Sequence, residues 1–263
     1  MKKVFFAIAI LAALVLGSTV TMNSCKPAKK ADTTKVDTIA VVADNTLTPK
    51  EKADGWMLLF DGKTTTGWRG YNKPSFPDSG WVVENGTLRC LASGNGEAGG
   101  KGGDIIYDKK FKDFDLTLEW KISTGGNSGV FYLGEEIPNE PIWKSALEDQ
   151  VLDDAVHPDA KLGVNGDRKA GSLYDLIPSK TPEKPAGEWN KVEIMVYQGT
   201  VVTKLNDGPG VEFHLGTPDW EKMIKASKFK DFKEFGKIRA GFIGLQDHGN
   251  DVWFKNIKIK ELQ

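Results

Sequence analysis

Four stretches of this chain alternate apolar and polar residues with a period of two, and that periodicity restricts the fold more than any other feature. The clearest is Phe114–Asp–Leu–Thr–Leu–Glu–Trp–Lys–Ile–Ser123, which puts Leu116, Leu118, Trp120 and Ile122 on one face and Thr117, Glu119 and Lys121 on the other. Successive side chains of a strand point to opposite faces, so the pattern is that of a half-buried strand. Trp189 to Tyr197 repeats it with Val192, Ile194 and Val196 inward, and Gly241–Gln246 and Val252–Leu262 follow suit. Between such runs lie Asn85–Gly86, Gly125–Gly126–Asn127, Asn206–Asp207–Gly208 and Gly249–Asn250–Asp251, residues that tolerate the positive φ of tight turns. Helical pattern is confined to Asp219–Ala226 after Pro218, and no stretch alternates strand with helix. The expectation is an all-β antiparallel sandwich or jelly roll formed by residues 54–263, a length that such folds reach as one domain.

The N-terminus decides which residues belong to that fold. Lys2 and Lys3 precede an uncharged apolar run, Val4–Gly17, of signal-peptide length and short for a membrane span. Cys25, after Ser24, resembles the lipobox of bacterial lipoproteins, with Met22 and Asn23 departing from its usual residues. The resemblance implies removal of residues 1–24, acylation of Cys25 and a membrane-anchored protein of the cell envelope. Residues 25–53 are polar and aperiodic and read as a flexible tether. The basic run Lys26–Lys30 suits anionic headgroups and leans towards a periplasmic face rather than surface export. Without the first 24 residues, 33 basic side chains stand against 36 acidic ones, a net charge of −3. So even a balance gives no electrostatic footprint for nucleic acid. The remaining cysteine, Cys90, sits in an apolar run as a small hydrophobe rather than a reactive thiol.

Candidate chemistry gathers in two places. If Ser145–Asp154 is a strand, Glu148 and Gln150 share a face and Asp153 ends it. In a sandwich with an apolar interior, that polar row belongs on an outer face. Carboxylates beside amides suit a hydroxyl-rich ligand, although a plain solvated strand face has the same pattern. Gln246–Asp–His248–Gly249 follows an apolar strand and ends at a turn, where functional side chains collect on loops. The glycine-dense Gly94–Gly103 lacks the Gly-Lys-Ser/Thr end of a phosphate loop and reads as a flexible loop.

Taken in order, a set of motifs resembles the 3-keto-disaccharide hydrolase family across residues 54–262. They begin with Trp56–Met–Leu–Leu–Phe–Asp–Gly–Lys63, Gly67–Trp68, Asn127–Ser–Gly–Val–Phe–Tyr132 and Glu148–Asp–Gln–Val–Leu–Asp–Asp154. His157–Pro–Asp–Ala160, Gly171–Ser–Leu–Tyr–Asp–Leu176 and Ala186–Gly–Glu–Trp–Asn190 continue the match. Ser227–Lys–Phe–Lys–Asp231, Gly244–Leu–Gln–Asp–His–Gly249 and Val252–Trp–Phe–Lys–Asn–Ile257 complete it. The resemblance implies a concanavalin-like jelly roll of two antiparallel sheets and an enzyme acting on 3-keto glycosides. A ketone at C3 acidifies the C2 proton, so a base can remove it, the C1 aglycone leaves, and water adds to the enone. By position it implies Glu148 and His248 as the acid/base pair, with Gln150 and Gln246 on the sugar oxygens. It further implies Asp153 as an orienting group, Tyr174 as a donor or stacking group, and His157 and Glu119 as lesser cleft residues. No cofactor is firmly implied, though Glu148, Asp153 and His157 are ligand types for a divalent cation. Lys204–Leu–Asn–Asp–Gly208 stands where the family has Trp–Leu–Asn–Gly, which predicts a different cleft wall. The rival reading is a carbohydrate-binding lipoprotein on the same fold, without turnover.

Overall fold

The computed structural model describes residues 43–94 and 100–263. The signal-like segment, Cys25, most of the tether and residues 95–99 of the glycine-dense run lie outside the described residues. The described strands begin with β1 (Trp56–Leu58), β2 (Trp68–Gly70), β3 (Trp81–Glu84), β4 (Thr87–Cys90) and β5 (Ile105–Phe111). β6 (Phe114–Ile122), β7 (Asn127–Gly134) and β8 (Leu147–Leu152) follow. The chain then runs through β9 (Asn190–Tyr197), β10 (Thr200–Leu205), β11 (Gly208–His214), β12 (Gly241–Leu245) and β13 (Val252–Glu261). The described residues also form two α-helices, α1 (Pro49–Ala53) and α2 (Pro218–Ala226), and short 3₁₀ turns.

All pairings are antiparallel and form two sheets. The larger has the order β11-β10-β9-β6-β13-β4-β3, with β1 beside the far half of β13; the smaller runs β2-β5-β12-β7-β8. The fold is therefore an all-β sandwich, as the periodicity requires. Along β6, buried and partly exposed residues alternate without a break, and Leu116, Leu118 and Trp120 are fully buried. Each such apolar side chain contributes about 1.5–3 kcal/mol by leaving water. The hairpin turns fall where the sequence places them. Asn85 and Gly86 (φ 49° and 74°) join β3 to β4, and Asn206 and Asp207 (φ 51° and 63°) join β10 to β11.

The smaller sheet departs from simple alternation. Every residue of β7 and β8 is buried, because this sheet is covered on both faces. Leu147 and Val151 join the inter-sheet core, while Phe131 packs outward with Ile106, Ile142, Ala146 and Phe242 in a second apolar cluster. The free edge of β8 is closed by residues 171–174, whose backbone pairs with Glu148 and Gln150. Such cover removes an exposed row of backbone donors and acceptors.

The structure corrects the tether's end. Asn45 and Asn256 exchange backbone–side-chain hydrogen bonds (2.6 and 2.9 Å), and Asn45 also donates to Gly86 O at 2.8 Å. Thr48 and Glu51 form a capping box at the start of α1, and Glu51 pairs with Lys258. Polar side-chain contacts, not apolar burial, fasten this segment, which is why hydropathy gives it no signal.

Candidate active site

On the smaller sheet, side chains from several elements surround a hollow of about 400 Å³. β8 provides Glu148 and Gln150, the start of β7 provides Asn127, and the loop after β12 provides Gln246, Asp247 and His248. Asp104 precedes β5, and Tyr174 stands on the segment that covers the edge of β8. Trp143, Phe229 and Phe232 supply apolar surface, and Lys228 the cation, from the turns before β8 and after α2. The order of the strands brings these pieces together, since β7 lies between β12 and β8.

Glu148 is buried, and its pKa is pushed up to about 8. Lost hydration is the chief cause; the Lys228 ammonium works against it, and Asp104, Asp159 and Asp149 add to it. The room for this carboxyl comes from Gly129, where a Cβ would lie 2.3 Å from Glu148 Oε1. The Gln150 amide can be placed either way round, and one placement satisfies both of its atoms. That placement donates to Glu148 Oε1 at 3.2 Å and Ser128 O at 3.1 Å, the other to Asn127 Oδ1 at 3.4 Å. Gln246 Oε1 and His248 Nδ1 are buried with no hydrogen-bond partner among the described residues. Unpaired buried polar atoms are costly, so such atoms beside a hollow are ready to accept or donate to a ligand.

Around this group stand supporting contacts. Asp247 carries no free carboxylate face: Oδ2 accepts from Gly102 N and Gly103 N at 2.9 Å each, and Oδ1 from Gly249 N at 3.1 Å. A Cβ at Gly100 would fall 1.5 Å from Asp247 Oδ1, which gives the glycine-dense run a structural reason at its described end. Asp104 Oδ1 accepts from Asp247 N at 3.0 Å, and burial raises the Asp104 pKa to about 7. Tyr174 donates to Asp159 Oδ2 at 2.9 Å; burial, then Asp159, raises its pKa, leaving a neutral phenol. Arg168 joins Asp159 to Asp175 by ion pairs to both.

Five of the eight expected non-lipid site residues thus meet at the hollow: Glu148, Gln150, Tyr174, Gln246 and His248. Three do not. Asp153 spends its carboxylate on Gly125 N (2.7 Å) and Ala155 N (3.2 Å), holding the turns at the strand ends. His157 is buried and accepts from Asp159 N at 3.1 Å through Nδ1, capping a short 3₁₀ turn. Glu119 lies on the other sheet, where it accepts from Asn256 Nδ2 at 2.7 Å and borders a separate hollow. Glu148, Asp153 and His157 therefore do not form a cation site, and no group of three or more acidic, His or Cys side chains with metal-binding spacing occurs among the described residues. The hairpin at Lys204–Gly208 sits at the edge of the larger sheet and forms no wall of the cleft. Lys228, Asp104, Asn127 and the aromatic wall were not singled out from the sequence, although Lys228 and Asn127 fall within the matched motifs.

Comparison with known proteins places these features in a family. The model of the 3-keto-alpha-glucoside-1,2-lyase-like domain matches residues 55–260. A Bacteroides thetaiotaomicron protein named 3-keto-disaccharide hydrolase is 46% identical, with the match spanning 100% of both chains. Two crystal structures of candidate glycosyl hydrolases from Parabacteroides distasonis share the fold. One has a TM-score of 0.74 at 33% identity, covering 84% of this chain and 100% of the other. The second has a TM-score of 0.59 at 25% identity, covering 79% and 99%.

Proposed function

This chain belongs to the 3-keto-alpha-glucoside-1,2-lyase-like family, and on that premise we propose that it cleaves glycosides whose sugar is already oxidised at C3. The observation that supports this reading best is the meeting of Glu148, Gln150, Gln246 and His248 at one hollow, with Glu148 titrating near neutral pH. General-base catalysis works best when the base has a pKa near the working pH. Glu148 takes the C2 proton, and the C–H electrons form the enolate of the C3 ketone. The enolate then re-forms the ketone and expels the C1 oxygen, which leaves an enone and receives a proton from His248. Gln150 and Gln246 hold the sugar oxygens. Addition of water at C1 completes net hydrolysis; release of the enone makes the same protein a lyase. Paired carboxylates flanking an oxocarbenium ion, as in ordinary glycosidases, are not needed.

The test follows enone absorbance and released aglycone with 3-keto-glucosides. Wild-type protein should turn over, with kcat/KM rising towards pH 8 as Glu148 ionises. Glu148→Gln should fold normally and lose at least about 100-fold in kcat, the low end for a lost general base. Saturable sugar binding without turnover in the wild type would select the sugar-binding reading. An unchanged rate in Glu148→Gln would reject the base assignment alone.

A further inference from the structure

Among the described residues, Lys228 is the only Lys or Arg whose side chain lines the hollow, where it stands with the acids Asp104, Glu148 and Asp247. Its ammonium lies 3.5 Å from Asp175 Oδ2 and 4.1 Å from the centre of the Tyr174 ring. The side chain leaves a 3₁₀ turn, Lys228–Asp231, whose start is fixed by Ser227 Oγ accepting from Phe229 N at 3.1 Å. Behind it, Asp175 is also held by Arg168, so Asp175 does not depend on Lys228 for a partner. A cation mounted in this way is not spent on one tight ion pair. Its side chain is still 39% exposed; its pKa is lowered chiefly by loss of hydration at the rim of the hollow, against the pull of Asp175 and of the Glu148 carboxyl.

Removal of a proton next to a ketone builds negative charge on the ketone oxygen. A charge-assisted hydrogen bond is about twice as strong as a neutral one, so a cation at the ketone oxygen stabilises that charge more than an amide in the same place. We propose that Lys228 receives the C3 oxygen of the substrate and stabilises the enolate formed when C2 loses its proton to Glu148. This rests on the 3-keto glycoside reading above and names the electrophile that reading lacks. No covalent bond to the lysine forms: the ammonium keeps its protons, and the electron pair passes from C–H to the enolate and then to the leaving oxygen.

The experiment compares Lys228→Met and Lys228→Arg with wild type on two 3-keto-glucosides, one with a 4-nitrophenyl aglycone and one with a methyl aglycone. Each variant is measured on the plateau of its own pH profile. That choice separates enolate stabilisation from the effect of Lys228 on Glu148 ionisation. Lys228→Met should lose about 100–1,000-fold in kcat, the scale of a deleted oxyanion donor, on both substrates alike. KM should stay within about threefold, the limb assigned to Glu148 should move to higher pH, and Lys228→Arg should recover most of the rate. A loss that disappears with the nitrophenyl substrate makes Lys228 the leaving-group acid and overturns the proposal. So does a kcat within about threefold of wild type, or a loss confined to KM. Absence of turnover in the wild type removes the parent reading and this one together, whereas an active wild type with Lys228→Met within about threefold of its kcat removes this one alone.

Discussion

At the scale of a residue, Gly129 states most directly how the site is made. Its φ lies outside the left-handed region, so its glycine is not there for the backbone. It is there for space: a Cβ would lie 2.3 Å from Glu148 Oε1 and 2.9 Å from both Cδ and Cγ. Gly129→Ala therefore has to push the carboxyl aside, while β7 keeps its pairing with β8 and β12. Misplacing a catalytic group by about 1 Å costs about 100-fold, so kcat/KM should fall on that order while circular dichroism and the melting temperature change little. Wild-type activity in Gly129→Ala would mean that the observed position of the Glu148 carboxyl is not the working one. Glu148 is legible from the acids and amides around it in sequence, whereas the role of Gly129 is not, since a missing side chain carries no pattern of its own.

At the scale of an element, β8 carries acids on both faces. Glu148 and Gln150 face the hollow, whereas Asp149 shares the inner side with Leu147 and Val151, and neither of its carboxyl oxygens has a hydrogen-bond partner among the described residues. Burial pushes the Asp149 pKa up to about 8. The unfolded chain releases this proton near pH 4, so between about pH 4 and 8 the native state holds one proton more. Stability from this group is complete below that window and is lost as pH rises through it, at up to about 1.4 kcal/mol per pH unit. Asp104 and Glu148 shift in the same direction, so all three slopes add. Asp149→Asn should flatten the pH dependence of urea unfolding between pH 5 and 8 by one proton's worth; an unchanged slope would show that Asp149 is ionised in the core. The same strand explains what was legible. β6 and β9 each present one face to water, so their period of two survives in the sequence, and their inward residues were read correctly. β7 and β8 are buried on both faces and lose that contrast. Glu119 went astray for the opposite reason: the solvated face of the larger sheet and the lining of the hollow use the same polar residues, and alternation cannot say which sheet a strand joins.

At the scale of the whole molecule, the chemistry and the fastening of residues 44–51 belong to different sheets. Asp44, Asn45 and Glu51 bind Lys255, Asn256 and Lys258 of β13 in the larger sheet, whereas the hollow is built on the smaller one. The Asn45 side chain satisfies Asn256 N and Gly86 O, and its φ of 54° suits asparagine better than alanine. Asn45→Ala in the full chain leaves Asn256 N without its acceptor and adds backbone strain. A loss of about 2–3 kcal/mol is expected, read as a lower urea midpoint at unchanged slope. Asn45, Asn256 and Gly86 are not among the residues that line the hollow, and substitutions at sites with no shared partners act independently. So kcat/KM below the unfolding transition should stay within about twofold of wild type. A variant that keeps its midpoint but loses turnover would reverse the assignment, and would mean that the polar clasp on one sheet sets the geometry of the hollow on the other.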